Sequence, residues 1–130
     1  MTPRLLVIDN DREMVNLLKR HLQAEGFQVT PISDGAEALA ALARADYDVI
    51  LTDLVMDDVD GLQVLSEAQR LQPAARVILM TAFASLETAI AAMRKGAYDY
   101  LSKPFKMAEV GVAVRRALED RQLRDENRRL

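Results

Sequence analysis

Cysteine is absent from this 130-residue chain. Its absence excludes disulfide bonds, thiolate metal sites and cysteine nucleophiles, and it agrees with a reducing compartment. No apolar run approaches the roughly twenty residues that cross a bilayer, and the first residues do not resemble a signal peptide. We therefore expect a cytoplasmic protein that neither enters a membrane nor carries an export signal.

A strong net charge is also absent. Seventeen basic and twenty acidic side chains leave a formal charge of −3, which gives the chain no overall attraction to nucleic acid or to anionic membranes. We therefore predict no direct nucleic-acid binding. Half of the residues are hydrophobic, so the chain is able to bury the core of one ordinary domain.

The chain does contain a regular alternation of short apolar runs and longer amphipathic segments. Strict alternation requires crossover connections and therefore a parallel sheet with helices on both faces. We predict an α/β three-layer sandwich of five βα units, with Pro31 marking an edge strand or a strand end. The predicted strands are residues 4–9, 27–32, 47–53, 75–82 and 98–102.

Apolar residues at helical spacing predict the five intervening helices. The third helix is expected to start at Gly61 and to turn Leu62, Leu65, Ala68 and Leu71 inward. The first helix is expected between residues 11 and 26, with Met14, Leu17, Leu18 and Leu22 at helical spacing, and the second over residues 34–44. The fourth is expected to end at residues 95–96, with Leu86, Ala89, Ile90 and Met93 at helical spacing. The fifth is expected from Lys106 to the end of the given sequence.

The C-terminal segment RRALEDRQLRDENRRL has ten charged residues among sixteen. Opposite charges three and four positions apart favour a solvated helix. A coiled coil is the alternative, with Leu118, Leu123 and Leu130 as its seam. We predict a domain over residues 1–120, and a helical extension or the start of a linker to an output domain over 121–130.

Polar residues follow four of the predicted strands. In an open α/β sheet, ligands bind outside the carboxyl ends of the strands. Two carboxylates, a hydroxyl and an ammonium should converge there, and no packing argument requires that set. The residues are Asp9, Asn10 and Asp11 after the first strand, Asp53 after the third, Thr81 after the fourth, and Ser102, Lys103 and Pro104 after the fifth.

Each of these residues also has an ordinary structural interpretation. Asn10 with Glu13 is typical of a capping box, and Asp11 would complement the dipole of the first helix. Their joint occurrence is what favours a functional site. Thr81 and Ser85 could be loop or cap hydroxyls, and Lys103 could be a surface lysine. For Asp58, Asp60 and Gly61 we keep the interpretation as ordinary turn and helix-start residues.

Crowded carboxylates repel one another unless a cation relieves them, and oxygen ligands favour a hard ion such as Mg²⁺. Transfer of a phosphoryl group to a carboxylate requires a metal, an ammonium and a hydroxyl around three phosphoryl oxygens. Mg²⁺, Lys103 and Thr81 would supply them around Asp53.

Over about residues 4–118 the chain resembles the receiver domain of bacterial two-component response regulators. The motifs LLVIDND, ILTDLVMDDVDGL, VILMTA and GAYDYLSKPF carry the resemblance. It implies a flavodoxin-like sheet in the order 2-1-3-4-5 and a signalling domain that assists its own phosphoryl transfer and dephosphorylation, rather than an enzyme. The segment TAFASLETAIAAMRKGAYDYLSKPF and the charged tail look most like receivers of the nitrogen-regulation type.

The resemblance also implies roles for individual residues. Asp53 would accept the phosphoryl group from a histidine kinase, and Lys103 would contact it, with a cis bond before Pro104. Val55 and Phe83 lie where the family modulates dephosphorylation, and their bulk should hinder attacking water. Asp9, Asn10, Asp53 and the Val55 backbone carbonyl would bind Mg²⁺, with Asp11 as a further candidate, and Thr81 and Tyr100 would form the switch.

The resemblance implies partners as well. These are a histidine kinase, and an ATPase and a DNA-binding output domain on the same full-length chain, which activate sigma-54-dependent transcription. A homodimer is a further candidate, formed through helix 4, strand 5 and helix 5 or through the C-terminal helix.

Two positions depart from the family pattern. Asn10 stands where the family usually has a second acid, so we expect weaker Mg²⁺ binding unless Asp11 compensates. This departure keeps open a degenerate receiver that binds partners without phosphorylation. Asp57 stands where the family usually has proline, and we derive no consequence from it.

Other classes of protein match less well. A calcium-binding loop would use Asp58, Asp60, Gly61 and Glu67, but its first position is Met56. An aspartyl phosphatase would need a second acid two residues after Asp53, where Val55 stands. A nucleotide site would need a glycine-rich loop after the first strand, which DNDRE lacks. The one histidine, His21, is assigned no role.

Overall fold

The computed structural model describes residues 2–82 and 85–129, with side chains described as far as residue 123. Within these ranges, five strands alternate with five helices in the order that the sequence predicts. The strands are β1 (Arg4–Ile8), β2 (Gln28–Ile32), β3 (Val49–Asp53), β4 (Arg76–Thr81) and β5 (Asp99–Ser102). The helices are α1 (Arg12–Ala24), α2 (Gly35–Arg44), α3 (Gly61–Leu71), α4 (Leu86–Arg94) and α5 (Met107–Arg129).

All strands are parallel and lie in the order β2-β1-β3-β4-β5, which confirms the predicted topology. The register places the strand ends side by side, with Ile8 opposite Thr52 and Thr81 opposite Ser102. β2 lies at an edge of the sheet, where the missing N–H of Pro31 is tolerated.

The sheet separates two hydrophobic cores, because alternate residues of a strand point to opposite faces. On one face, Leu5, Val7 and Met80 pack with α1 and α5. On the other face, Leu6, Ile8 and Leu79 pack with α2, α3 and α4. The central strands are buried on both sides, which explains their continuous apolar sequences.

The inward face predicted for α3 is only partly correct, with Leu65 and Ala68 buried as expected. Leu71 was expected inside but is exposed at the end of α3, and Leu17 of α1 is 45% exposed. In α4 the stripe of Leu86, Ile90 and Met93 lies at the surface, while Ala92 is buried. A helix that packs on one face of a sheet buries only a narrow stripe, and helical spacing alone does not tell which stripe faces inward.

The start of α1 also differs from the prediction. Asp11, rather than Asn10, is the N-cap, and its carboxylate accepts the N–H of Glu13 at 3.0 Å. The helix therefore begins at Arg12, one residue later than a cap at Asn10 would place it. The predicted helix-start role of Asp60 is confirmed, because Asp60 forms a capping box with Gln63 at α3.

Helix α5 continues from Met107 to Arg129 without a break, so the division at residue 120 stays a prediction. Two ion pairs fasten α5 to the base of the sheet, Arg76 to Asp120 at 2.8 Å and Arg121 to Asp48. Leu118 packs against the core, whereas Leu123 is 61% exposed. Leu130, the third candidate for a coiled-coil seam, lies outside the described residues. Within the described part of the chain, no helix combines the length and the apolar character that a membrane span requires.

Candidate functional site

The carboxyl ends of β1, β3 and β5 bring together Asp9, Asp53 and Lys103. Asp9 directly follows β1, Asp53 is the last residue of β3, and Lys103 directly follows β5. The Lys103 Nζ atom lies 2.6 Å from Asp9 Oδ2 and 3.4 Å from Asp53 Oδ2. Residues distant in sequence therefore meet at the edge where the strand ends were expected to converge.

The site is largely withdrawn from solvent. Asp9 and Asp53 are buried, and the Lys103 side chain is only 17% exposed. Backbone donors add to the lysine: the N–H of Asp11 donates to Asp9 Oδ1 at 3.0 Å, and that of Val55 donates to Asp53 Oδ1 at 3.4 Å. Among the described residues one ammonium faces these two carboxylates, so when both are ionised one negative charge is left without an ionic partner there.

This charge arrangement changes two pKa values. Burial raises the pKa of Asp53, and the nearby Asp9 carboxylate raises it further, against the opposing effect of Lys103. Burial alone would lower the pKa of Lys103, but the hydrogen bond and charge of Asp9, together with the charge of Asp53, raise it overall. Its surroundings therefore disfavour the charged form of Asp53.

The raised pKa of Asp53 predicts how stability depends on pH. At pH values between the ordinary pKa of 3.8 and the higher pKa of the folded state, Asp53 has lost its proton in the unfolded chain but keeps it in the folded chain. Stability therefore falls as pH rises through that window, and the cost persists above it. We expect Asp53→Asn to raise the free energy of unfolding at neutral pH and to lose this advantage below the window.

Urea denaturation of both proteins at a series of pH values measures this difference. Asp57→Asn is the matched control, because Asp57 is an exposed acid in the adjacent loop and its replacement should change stability little. An Asp53→Asn protein less stable than the wild type at neutral pH would contradict the expectation.

The predicted switch residues lie beside this site. Thr81 is fully buried at the end of β4, and its carbonyl oxygen accepts the N–H of Lys103 at 2.8 Å. Tyr100 of β5 is half-buried, with its hydroxyl 3.1 Å from Thr88 Oγ1. The Lys103–Pro104 peptide bond is cis, as the resemblance implies.

The donor set fits a divalent cation that prefers oxygen ligands, because two buried carboxylates are balanced by only one ammonium. Asn10 is exposed next to Asp9, and Asp11 uses one carboxylate oxygen to cap α1. No group of three or more acidic, histidine or cysteine side chains forms a metal site within the described residues. A cation here would therefore depend mainly on Asp9 and Asp53.

Two further residues, Gly61 and Thr88, have structural roles that the sequence did not reveal. A Cβ atom on Gly61 would overlap the carbonyl oxygen of Asp53 and lie 2.8 Å from Leu54 Cα, so α3 starts directly against the end of β3. Thr88 contacts the Tyr100 hydroxyl through its own hydroxyl, but no sequence motif distinguishes it from its neighbours. Of the two predicted modulators of dephosphorylation, Val55 is exposed and Phe83 lies outside the described residues.

The parallel order, the buried aspartates at the strand ends and their common lysine define the class of signal receiver domains. Comparison with protein families agrees: the model of the response regulator receiver domain matches residues 5–115. The chain belongs to this family.

Individual relatives support the same assignment. The chain is 38% identical over 115 residues to the transcriptional regulatory protein GlrR of Escherichia coli, covering 88% of this chain and 26% of GlrR. It is 40% identical over 116 residues to the DNA-binding transcriptional regulator NtrC of the same organism, covering 89% and 25%. The similarity to NtrC confirms the resemblance to the nitrogen-regulation type. The chain thus spans about a quarter of the length of these curated relatives.

The fold has close counterparts among solved structures. A CheY-like response regulator receiver domain protein from Methanospirillum hungatei superimposes with a TM-score of 0.91 at 26% identity. The match covers 95% of this chain and 99% of the other. The flavodoxin-like fold is therefore established by topology and by comparison.

Proposed function

We propose that Asp53 accepts a phosphoryl group from a histidine kinase in a Mg²⁺-dependent reaction, and that this modification controls a transcriptional output domain. The observation that carries the proposal is the Asp9–Lys103–Asp53 arrangement at the carboxyl edge of a receiver-family sheet. Asp53 combines burial, a raised pKa and a lysine within 3.4 Å.

In the proposed reaction, an Asp53 carboxylate oxygen attacks phosphorus while the bond from phosphorus to the kinase's histidine nitrogen breaks. The ammonium of Lys103 stabilises charge on one phosphoryl oxygen, and the Thr81 hydroxyl donates to another. Lys103 needs little reorganisation, because Asp9 already binds it at 2.6 Å. Bound Mg²⁺, held by Asp9, Asp53, Asn10 and the Val55 carbonyl, would neutralise charge on the transferring group.

The phosphoryl group is proposed to act by a population shift, since it must interact better with one of two conformations. Movement of Thr81 towards the phosphoryl group would open space into which Tyr100 can rotate. The surface of α4 and β5 would change with it. The domain assists its own phosphorylation and dephosphorylation in this scheme, without turning over a separate substrate.

The proposed partners follow from the length and names of the relatives. NtrC is a DNA-binding transcriptional regulator about four times the matched length, so we assign a DNA-binding output domain to the full-length protein. From the resemblance to receivers of the nitrogen-regulation type we add an ATPase domain, sigma-54-dependent activation and a cytoplasmic location. The proposed homodimer surface consists of the exposed apolar side chains of α4 together with β5 and α5. We assign no nucleic-acid or membrane contact to this domain.

A degenerate receiver that binds partners without phosphorylation is the second candidate function. Asn10 favours it, because an amide oxygen brings no charge to the metal site. Under this alternative Asp53 would stay unmodified when Mg²⁺ and a phosphodonor are supplied.

Incubation with Mg²⁺ and acetyl phosphate distinguishes the two functions. We expect one phosphoryl group per chain, detected by intact mass, in an acid-stable and base-labile adduct. Asp53→Asn should abolish it, Asp57→Asn should retain it, and Asn10→Asp should form it at lower Mg²⁺ concentration. An adduct that survives Asp53→Asn would refute the assignment, and no adduct on either the wild type or Asn10→Asp would favour the degenerate receiver.

A further inference from the structure

Thr88 connects the first turn of α4 to Tyr100 of β5. Its Oγ1 atom lies 3.1 Å from the Tyr100 hydroxyl and 3.0 Å from Ser85 Oγ. The same oxygen accepts the backbone N–H of Ser85 at 3.1 Å, and the N–H of Thr88 donates to Ser85 Oγ at 3.1 Å. One side chain therefore takes part both in the capping box of α4 and in the contact to Tyr100.

Helix α4 is held weakly by apolar packing. Among the described residues, Ala92 is its one buried side chain, and Leu86 is 77% exposed. Helices α1, α2 and α3 each bury three residues or more. The placement of α4 therefore depends strongly on polar contacts near its ends.

Two such contacts come from neighbouring elements. At the C-terminal end, Gln69 of α3 donates from Nε2 to the carbonyl oxygen of Lys95 at 2.6 Å. At the N-terminal end, the contact is the hydrogen bond between Thr88 and Tyr100. Only the second of these contacts involves a proposed switch residue.

We propose that Thr88 is a positioning residue that holds the Tyr100 hydroxyl at the first turn of α4. This inference rests on the proposed function, in which Tyr100 rotates towards Thr81. A change of rotamer carries a tyrosine hydroxyl by several ångströms, whereas a hydrogen bond at 3.1 Å fails within about half an ångström. A rotation of Tyr100 away from its described position therefore breaks the bond to Thr88 and deprives α4 of one of the two side-chain contacts described above.

Loss of the Thr88 hydroxyl should therefore make the switch easier. A single hydrogen bond between neutral groups changes an equilibrium by roughly two- to tenfold. Thr88→Val keeps the shape of the side chain and removes the hydroxyl, so it should raise the ratio of switched to unswitched protein by that factor. Thr88→Ser keeps the hydroxyl and should restore the wild-type ratio.

The ratio is measured from amide chemical shifts in ¹⁵N-labelled protein, with beryllofluoride and Mg²⁺ defining the switched end point. The free Thr88→Val protein should lie between the free and beryllofluoride-bound spectra of the wild type. Ser85→Ala is the matched control, because it removes the other half of the capping box and leaves the Thr88 to Tyr100 contact. Tyr100→Phe provides the background in which Thr88→Val should have no further effect.

The outcomes separate the two proposals. If beryllofluoride leaves the wild-type spectrum unchanged, the proposed function fails. If beryllofluoride acts but Thr88→Val does not move the free protein towards the bound spectrum, the role of Thr88 is refuted. The role is also refuted if Ser85→Ala produces an equal shift, or if Thr88→Val acts equally in the Tyr100→Phe background, because helix capping alone would then explain the effect.

Discussion

Lys103→Met is expected to lower the free energy of unfolding by about 3 kcal/mol at neutral pH, because it leaves buried carboxylates without their counter-ion. Asp9, fully buried, would lose a partner at 2.6 Å, and Asp53 would lose one at 3.4 Å. Methionine has a similar length, so the loss reflects charge more than packing. The same substitution should slow phosphorylation of Asp53 by roughly 100-fold, since it removes a preorganised donor to the transferring group.

The pH dependence identifies the cause of the stability loss. The pKa of Lys103 is raised above its ordinary 10.5, so its stabilisation is complete below 10.5 and is lost only as pH rises through the higher folded value. The full deficit should therefore be present at neutral pH. The loss of stability should become smaller on acidification. The pKa of Asp53 is already raised and rises further without the Lys103 ammonium, so Asp53 takes up a proton and loses its unpaired charge.

Chemical denaturation measures the stability effect, and intact mass after timed exposure to acetyl phosphate measures the rate. Asp9→Asn combined with Lys103→Met is the informative double variant, because removing both charges should recover much of the lost stability without restoring the rate. A single Lys103→Met variant as stable as the wild type at neutral pH would show that the ion pairs contribute little to the fold.

Gly61→Ala is expected to lower the free energy of unfolding by about 2–3 kcal/mol, at the upper end of the usual cost of overpacking. The added methyl group would overlap the Asp53 carbonyl oxygen and lie 2.8 Å from Leu54 Cα. Both contacts are with backbone atoms, which cannot move aside as a flexible side chain can. Gly61 also donates its N–H to the Leu54 carbonyl at 2.8 Å, so a shift of α3 would disturb the segment that positions Asp53.

Gly111→Ala is the matched control for this substitution. A methyl group at Gly111 would meet the Glu25 carboxylate oxygens at 2.8 Å, but these are the end of a flexible side chain at the surface. The exposed ion pair between Glu25 and Arg115 contributes at most about 1 kcal/mol to stability. Disturbing it would be offset by the higher helix propensity of alanine over glycine, about 1 kcal/mol. Thermal or urea unfolding should therefore show a large loss for Gly61→Ala and little change for Gly111→Ala; equal effects would contradict the close approach at Asp53.

The two substitutions test different properties of the same segment. Lys103→Met changes the charge that faces Asp53, whereas Gly61→Ala changes the backbone that carries it. Both effects depend on the end of β3, where a buried strand turns directly into the loop before α3. Of the four aspartates between residues 53 and 60, three have distinct roles: Asp53 belongs to the site, Asp60 caps α3, and Asp58 accepts the N–H of Ala36 at the start of α2.

Several features of the site followed from sequence because they depend on order along the chain. Parallel strands place their carboxyl ends at one edge, so Asp9, Asp53 and Lys103 were expected to meet before any distance was known. Features that depend on which side of a helix faces inward followed only in part, since Leu65 and Ala68 of α3 are buried as predicted. Leu71 and Leu17 have the spacing of buried residues yet lie at the surface.

The sequence by itself determined the number of strands and helices, their parallel arrangement and the side chains at the strand ends, because periodicity and chain connectivity are local properties. The tertiary structure decided what each polar residue does. It gave the cap of α1 to Asp11 instead of Asn10, brought Glu25, the C-cap residue of α1, beside Arg115 of α5, and placed Thr88 against Tyr100. These contacts join segments whose separation and orientation are set by the packing of helices on the sheet, a long-range result that no local pattern encodes.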